Sequence, residues 1–268
     1  MDMNELQKDP KMLELMKAIG EQMRARSKQE QTEKAKNYQI LNEHVKKGQI
    51  LFTGSSLMEQ FPIAEIARNH GVEKLIYNRG IGGYTTDDFL ANIDTVLFDL
   101  EPSKIFINIG TNDMNIREDG EDWNAHLLTN YETILKQIKE RLPETEVYMM
   151  AYYPVNPVVA SDDVKTYMLQ IRTNENLQVV NRQMEELAAK YQYHFIDCND
   201  GLCDENGNQK KEFTKEGLHM FANAYEVVFQ NLVQFLKPMV DCSEPFIHMH
   251  PCTECPYKNR TLLPYQLE

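Results

Sequence analysis

Five short apolar runs, separated by longer amphipathic segments, constrain the fold of this chain most strongly. The runs are "ILFT" at 50–53, "LIYN" at 75–78, "IFINI" at 105–109, "VYMMAYY" at 147–153 and "HFID" at 194–197. Runs of this length and composition are typical of strands buried on both faces of a sheet. The segments between and after them predict helices at 57–70, 86–98, 122–141, 164–191 and 222–237. This alternation predicts an α/β/α sandwich around a parallel sheet, with functional groups at the carboxyl ends of the strands.

Composition limits the environment and the partners of the chain. Its 268 residues are 42% hydrophobic, which is enough for one well-buried core. A formal net charge of −13 argues against general binding to nucleic acid or anionic membranes, because both need a basic surface. No stretch approaches the roughly 20 apolar residues that span a bilayer, and the N-terminus lacks the pattern of a secretory signal. An odd number of cysteines, five, does not suggest a disulfide framework, so we expect a cytoplasmic protein.

The sequence predicts three regions. Residues 1–47 form a helical extension, in which Leu13, Met16, Ile19 and Met23 follow helical spacing. Residues 48–240 form the α/β domain, and residues 241–268 form an irregular, proline-containing tail packed on it. The extension could support a homodimer or form a lid, and the sequence leaves both open.

Polar residues and glycines follow the predicted strands. They are Ser55 and Ser56 after the first run, Gly82 and Gly83 after the second, Asn112 and Asp113 after the third, and Glu216 and His219 before the last helix. A hydroxyl, glycine amides, a carboxamide, a carboxylate and an imidazole are together typical of acyl transfer by an activated serine. Taken singly, each has a structural alternative: a helix cap for the serines, turns for the glycines and Asn112, and a structural role for the histidine.

Four segments occur in an order that resembles the GDSL, or SGNH, hydrolase family. They read "FTGSSL" at 52–57, "NRGIGGYT" at 78–85, "IGTND" at 109–113 and "EGLH" at 216–219, and the resemblance covers about residues 48–237. Each segment alone is a weak signal, but the ordered set is specific. The resemblance implies a flavodoxin-like three-layer α/β/α sandwich with a five-stranded parallel sheet, and an esterase or acylhydrolase activity.

The resemblance also assigns roles to single residues. Ser56 occupies the position of the nucleophile, whereas Ser55 stands where the family usually has Asp. Gly83 matches the glycine, and Asn112 the asparagine, that with the Ser56 N–H would stabilise the oxyanion. His219 matches the general base.

The last segment departs from the family pattern. The family usually has Asp three residues before the histidine, and Glu216 keeps that spacing with a side chain one methylene longer. Glu serves the same role in some Ser-His-acid hydrolases, so Glu216 is assigned as the orienting carboxylate. This chemistry requires no metal or organic cofactor. The expected partner is a small ester: a short acyl ester, an acetylated sugar or a lysolipid.

Several alternatives stay open at this point. The activity could be that of a carbohydrate O-deacetylase, or of a lysophospholipase or thioesterase. Four side chains near the predicted strand ends could line an acyl pocket or belong to the core, namely Tyr84, Met114, Tyr152 and Tyr153. A different class of function, a metal-binding or partner-binding module with a non-catalytic fold, is suggested by ligand-type residues in the tail. These are Cys242, His248, His250, Cys252 and Cys255.

Overall fold

The structure, a computed structural model, describes residues 10–117 and 119–236. A five-stranded, wholly parallel sheet lies at its centre. The strands are β1 (Ile50–Gly54), β2 (Ile76–Asn78), β3 (Lys104–Asn108), β4 (Glu146–Met150) and β5 (His194–Ile196). Their spatial order is β2-β1-β3-β4-β5. This is the flavodoxin-like order, and it confirms the predicted fold class.

Helices cover both faces of the sheet. In chain order they are α1 (Pro10–Asn42), α2 (Ser56–Glu59), α3 (Ile63–Asn69), α4 (Thr86–Ala91), α5 (Ile93–Val96), α6 (Trp123–Arg141), α7 (Asp162–Tyr167), α8 (Asn174–Tyr191) and α9 (Ala222–Leu232). Short 3-10 turns lie at Phe98–Leu100, Thr111–Asp113, Lys211–Phe213 and Val233–Phe235. The three layers follow because every strand of the sheet must bury two apolar faces.

The core has two halves because successive side chains of a strand point to opposite faces. On one face Phe52 stacks on Phe106 and Phe106 on Tyr148, with ring centroids 4.6 and 4.8 Å apart, and α3 and α9 pack over them. On the other face Leu51 and Ile105 pack with residues of α4, α5, α6 and α8. Both clusters leave the carboxyl ends of the strands free to carry loops.

Several predicted elements differ from the observed ones. The helix predicted at 86–98 is divided into α4 and α5 at Asn92, and three further differences have a local cause. The helix predicted at 57–70 is divided into α2 and α3 by Pro62, which has no N–H to continue the first helix. The helix predicted at 164–191 is divided into α7 and α8, because Thr173 starts α8 by accepting a hydrogen bond from the N–H of Asn176 at 3.2 Å. The strand predicted to reach residue 153 ends at Met150, since the Tyr152 N–H turns to the Asn181 side chain at 2.8 Å.

The N-terminal region is one long helix up to Asn42, of which only the later part is packed. Ile19 and Met23, two residues of the predicted apolar stripe, are 47% and 68% exposed. Farther along, Gln31 and Tyr38 instead hydrogen-bond to the loop after β2, and Lys34 pairs with Glu59 of α2. The predicted domain limits at 47/48 and 240/241 stay predictions, and the tail at 241–268 lies outside the described residues.

The strand order sets the place for a ligand. Chain connections from β1 run outward to β2, while β3, β4 and β5 follow on the other side, so the order reverses beside β1 and β3. Open α/β sheets bind ligands at the carboxyl ends of the strands at such a switch point. The two loops that meet there begin at Ser55 and Ile109.

Candidate active site

The two consecutive serines occupy different environments at the end of β1. Gly54 has a φ of +150°, and a Cβ there would lie 2.0 Å from the Asn108 carbonyl oxygen, so only glycine fits beside β3. Ser55 follows, 1% exposed, with its N–H donating to that same carbonyl at 3.3 Å. Ser56 is the first residue of α2 and is half-buried. The chain therefore turns one serine into the protein and leaves the next at the edge of the sheet.

Ser55 does not cap α2, although it holds the N-cap position. Its side chain accepts no hydrogen bond from the helix, and its Oγ has no partner among the described residues. The capping alternative for this pair of serines therefore does not account for Ser55.

His219 lies between Ser56 and Glu216. Its Nε2 is 3.0 Å from the Ser56 Oγ, and its Nδ1 hydrogen-bonds to the Glu216 Oε1. The same carboxylate oxygen accepts the backbone N–H of His219 at 3.2 Å. The sequence-predicted serine, histidine and acid are thus brought into one chain of hydrogen bonds, the arrangement in which an imidazole can take a proton from a hydroxyl.

A tight turn holds the acid against the imidazole. Gly217 between them has a φ of +96°, and its carbonyl accepts the N–H of Asn156 at 2.7 Å. Thr214 closes the turn, since its Oγ1 accepts the Gly217 N–H at 2.8 Å and lies 3.1 Å from the His219 carbonyl, to which it donates. This geometry explains how the longer Glu side chain reaches back to a histidine only three residues away.

The glycine pair after β2 lies beside Ser56. A Cβ on Gly82 would be 3.8 Å from the Ser56 Cβ. The Gly82 N–H is already used, because it donates to the carboxylate of Glu59. The N–H groups of Ser56 and Gly83 hydrogen-bond to nothing within residues 10–117 and 119–236. Of the two glycines, Gly83 is therefore the one whose N–H is a free donor within the described residues.

Asn112 is held by two neighbours that fix which way its amide points. Its Nδ2 donates to the Tyr84 carbonyl at 2.9 Å, and its Oδ1 accepts from Arg172 Nη2 at 3.0 Å. With Oδ1 and one N–H engaged, the second N–H of the amide is left as a donor. Because Tyr84 directly follows Gly83, the same contact joins the loops after β2 and β3.

Sequence reasoning missed Arg172. The guanidinium is only 5% exposed, burial lowers its pKa to about 10, and its Nε has no partner in the described part of the chain. Arg172 lies between α7 and α8, in a stretch that was predicted to be continuous helix. The signal that could have found this break is Thr173, an N-cap residue type directly after it.

The four aromatic and methionine side chains considered for an acyl pocket belong to the core. Tyr84, Met114, Tyr152 and Tyr153 are all 3% exposed or less. Tyr152 also donates its hydroxyl to the Ile109 carbonyl at 2.7 Å, which supports the loop after β3. The core alternative therefore holds for all four.

Residues outside the site offer no metal centre in the described ranges. No group of three or more His, Cys, Asp or Glu side chains there could hold a metal ion. The five ligand-type residues predicted in the tail, Cys242 to Cys255, lie outside the described residues. Among the helices that the structure describes, none has the length and apolar character needed to cross a membrane.

Comparison with known proteins places the chain in one class, the hydrolases that act on esters. The model of the GDSL-like Lipase/Acylhydrolase family matches residues 60–227, more than half of the chain. The match contains Gly83, Asn112, Glu216 and His219 and begins just after Ser56. The chain belongs to this family.

Two solved structures are similar in fold to this chain. A protein from Streptococcus pneumonia, described provisionally as a platelet activating factor, is 34% identical, with a TM-score of 0.72; 82% of this chain and 99% of that one are covered. A GDSL-like lipase from Bacteroides thetaiotaomicron VPI-5482 is 19% identical, with a TM-score of 0.61, over 75% of this chain and 96% of that one. The second likeness bears on the fold alone.

One curated relative is not described as a lipase or acylhydrolase. The chain is 24% identical over 198 residues to the N-acylneuraminate cytidylyltransferase of Escherichia coli O18:K1:H7 (strain RS218 / NMEC). The aligned region is 73% of this chain but 42% of that protein, so the chain spans about two fifths of its relative's length.

Proposed function

We propose that this protein is a serine esterase whose nucleophile is Ser56, whose general base is His219 and whose orienting acid is Glu216. One observation carries the proposal: the His219 Nε2 lies 3.0 Å from the Ser56 Oγ while its Nδ1 is bonded to Glu216. Membership of a family of ester hydrolases agrees with this chemistry.

The reaction proceeds in two halves. Ser56 Oγ attacks the ester carbonyl as its proton passes to His219 Nε2, and the carbonyl π electrons move to the oxygen. The tetrahedral intermediate then collapses, its C–O bond to the leaving alcohol breaks, and His219 returns the proton to that alcohol. Water repeats the sequence on the acyl-enzyme, with His219 as base and then acid, and releases the carboxylic acid. Glu216 keeps the imidazole oriented and stabilises its charged form.

Three donors would meet the oxyanion: the N–H groups of Ser56 and Gly83 and the Nδ2 of Asn112. The first two N–H groups are free in the described structure, and the third is aimed by Arg172 and the Tyr84 carbonyl. Ser56 also begins a helix, where unpaired backbone N–H groups favour negative charge. Donors of this kind act mainly on the transition state, which is where charge develops.

The two adjacent serines provide the test of the nucleophile and its matched control. We expect Ser56→Ala to lose hydrolysis of p-nitrophenyl acetate and butyrate almost completely, by at least about 1,000-fold in kcat, since the covalent step cannot occur. Ser55→Ala removes a buried hydroxyl that has no hydrogen bond, so it should keep activity and change stability by less than about 1 kcal/mol. An active Ser56→Ala enzyme would refute the nucleophile assignment.

The substrate is proposed as an ester with an apolar part. Three apolar side chains are exposed in the segments that follow β3 and β4: Ile116, Val158 and Tyr167 are 72%, 76% and 73% exposed. Both segments start at the carboxyl edge of the sheet, where Ser56 lies, so these side chains are the candidates to contact an acyl chain.

A series of p-nitrophenyl esters from acetate to decanoate, assayed beside acetylated sugars, separates the alternatives. We expect kcat/KM to be kept or to rise with chain length up to about eight carbons, by at most about 15-fold per added pair of methylenes, because each fully buried CH₂ contributes about 0.8 kcal/mol. A steep fall beyond acetate, together with deacetylation of the sugars, would favour the carbohydrate deacetylase instead. Lysophospholipid and thioester substrates in the same series address the remaining alternative.

A further inference from the structure

The later part of α1 presents one polar face to the loop after β2. Gln31, Lys34, Tyr38 and Asn42 recur at intervals of three and four residues, so they lie on one side of the helix. The N-terminal helix is therefore joined to this loop by hydrogen bonds, in addition to the apolar packing of Ala35.

Gln31, Tyr38 and Asn42 bond to the loop directly, whereas Lys34 acts through Glu59 of α2. The Tyr38 hydroxyl donates to the Gly80 carbonyl at 3.0 Å, and Gln31 Nε2 donates to the Gly82 carbonyl at 2.9 Å. Lys34 pairs with Glu59, whose other carboxylate oxygen accepts the Gly82 N–H. Both backbone groups of Gly82 are thus held from outside the loop.

The bond from Gln31 bears directly on the oxyanion donor. The Gly82 carbonyl and the Gly83 N–H belong to one planar trans peptide, so they point in opposite directions. With its carbonyl drawn toward α1, this peptide must aim its N–H away from α1. Glycine on both sides makes the peptide easy to rotate, and within residues 10–117 and 119–236 only Gln31 donates to the Gly82 carbonyl.

Gly83 also lies close to the side chain of Gln31. It has a φ of +73°, and a Cβ on it would lie 2.8 Å from Gln31 Nε2. The amide of Gln31 therefore sits directly against the peptide that it orients.

We propose that Gln31 is a positioning residue for catalysis: its hydrogen bond to the Gly82 carbonyl sets the direction of the Gly83 N–H in the oxyanion hole. In this proposal α1, which precedes the sheet domain in the chain, contributes a residue that orients a group of the site. The inference rests on the esterase function proposed above. It gives the N-terminal extension a role that neither the dimer nor the lid alternative describes.

The test compares two glutamines on the same helix. Gln31→Met keeps the length of the side chain but cannot donate, whereas Gln29→Met changes an exposed glutamine whose side chain, among the described residues, bonds only to Glu33. We expect Gln31→Met to lower kcat on p-nitrophenyl butyrate by about 10- to 100-fold with KM within about twofold, because an oxyanion donor acts on the transition state. Gln29→Met should match the wild type.

A third variant separates the hydrogen bond from general packing. Gln31→Lys restores a donor of sufficient length, and its kcat should exceed that of Gln31→Met by several fold. The folded fraction of each variant is measured by circular dichroism and its kcat is divided by that fraction, so that loss of folding is not read as loss of positioning.

The outcomes distinguish this inference from the proposed function. If Gln31→Met has the wild-type kcat while Ser56→Ala is inactive, the positioning role is wrong and the esterase mechanism stands. A rise in KM with kcat unchanged, or Gln31→Lys as slow as Gln31→Met, would also overturn it. Activity in Ser56→Ala would instead remove the function on which the inference depends.

Discussion

Asp113 joins two of the loops that form the site. It is 7% exposed and accepts the backbone N–H of Thr86 at 3.0 and 3.1 Å, together with the Thr86 hydroxyl. Burial raises the pKa of the Asp113 carboxyl to about 6, against the opposing effect of these hydrogen bonds. Since Asn112 precedes Asp113 and Thr86 follows the glycine loop, the ionisation of this one group is linked to the stability of the loops after β2 and β3.

The raised pKa predicts a pH dependence of stability. The folded protein binds a proton at Asp113 that the unfolded chain, with a pKa near 3.8, releases earlier. The contribution of Asp113 to the free energy of unfolding is therefore greatest below about pH 4 and is lost as pH rises through about 6. We expect the stability of the wild type relative to Asp113→Asn to fall by about 1 to 3 kcal/mol between pH 4 and pH 7.

Urea unfolding of both proteins at each pH measures this difference directly. Asp162→Asn, which changes a fully exposed carboxylate at the start of α7, is the matched control and should show little change in the same comparison. A wild-type protein that gained stability over Asp113→Asn as pH rose would contradict the expected sign.

The turn at residues 214–219 brings distant parts of the chain together. It holds Glu216 against His219, and through Gly217 and Asn156 it is bonded to the loop after β4. A Cβ on Gly217 would lie 2.5 Å from the Asn156 carbonyl oxygen. The turn can therefore keep its present shape only with glycine at this position.

Gly217→Ala should consequently damage both stability and activity. We expect a loss of about 2 to 4 kcal/mol in the free energy of unfolding, because strain at positive φ adds to a steric clash. We also expect kcat to fall by about 10-fold or more, since the turn must shift and His219 shifts with it. Urea unfolding and ester hydrolysis are measured on the same preparation.

Gly207→Ala supplies the comparison for this element. Gly207 also has positive φ, +77°, but a Cβ there meets nothing within 4 Å among the described residues. Gly207→Ala should lower the free energy of unfolding by only about 1 kcal/mol and leave kcat unchanged. Equal effects from the two substitutions would mean that the contact with Asn156 does not matter.

At the scale of the whole molecule, the sequence predicted those features that follow from short patterns of neighbouring residues. Buried parallel strands are apolar throughout, so the five runs predicted the fold class, and the ordered segments predicted that Ser56, Glu216 and His219 would meet. Their roles in catalysis stay predictions. Arg172 and Gln31 could not be found in this way, because each is joined to the site by one side-chain hydrogen bond, within the described residues, to a residue far away in the chain. A polar residue on a helix gives no sequence signal that its partner is a backbone carbonyl.

The N-terminal helix is a second example of a feature that the sequence pattern predicted only in part. An apolar stripe at Ile19 and Met23 was the visible pattern, yet these side chains are exposed and the packed contacts are mainly polar ones farther along. Hydrophobic spacing therefore predicted the helix but not the part of it that is attached to the domain.

The separation of Ser56 from His219 along the chain has a consequence for synthesis. These residues are 163 positions apart, and they can meet only after the residues of every strand between them have been synthesised. A growing chain on the ribosome can already hold Gln31, the glycine loop and the serine, but it lacks the proposed base until residue 219 has emerged. In the proposed mechanism the Ser56 hydroxyl is therefore not activated before all five strands have been synthesised.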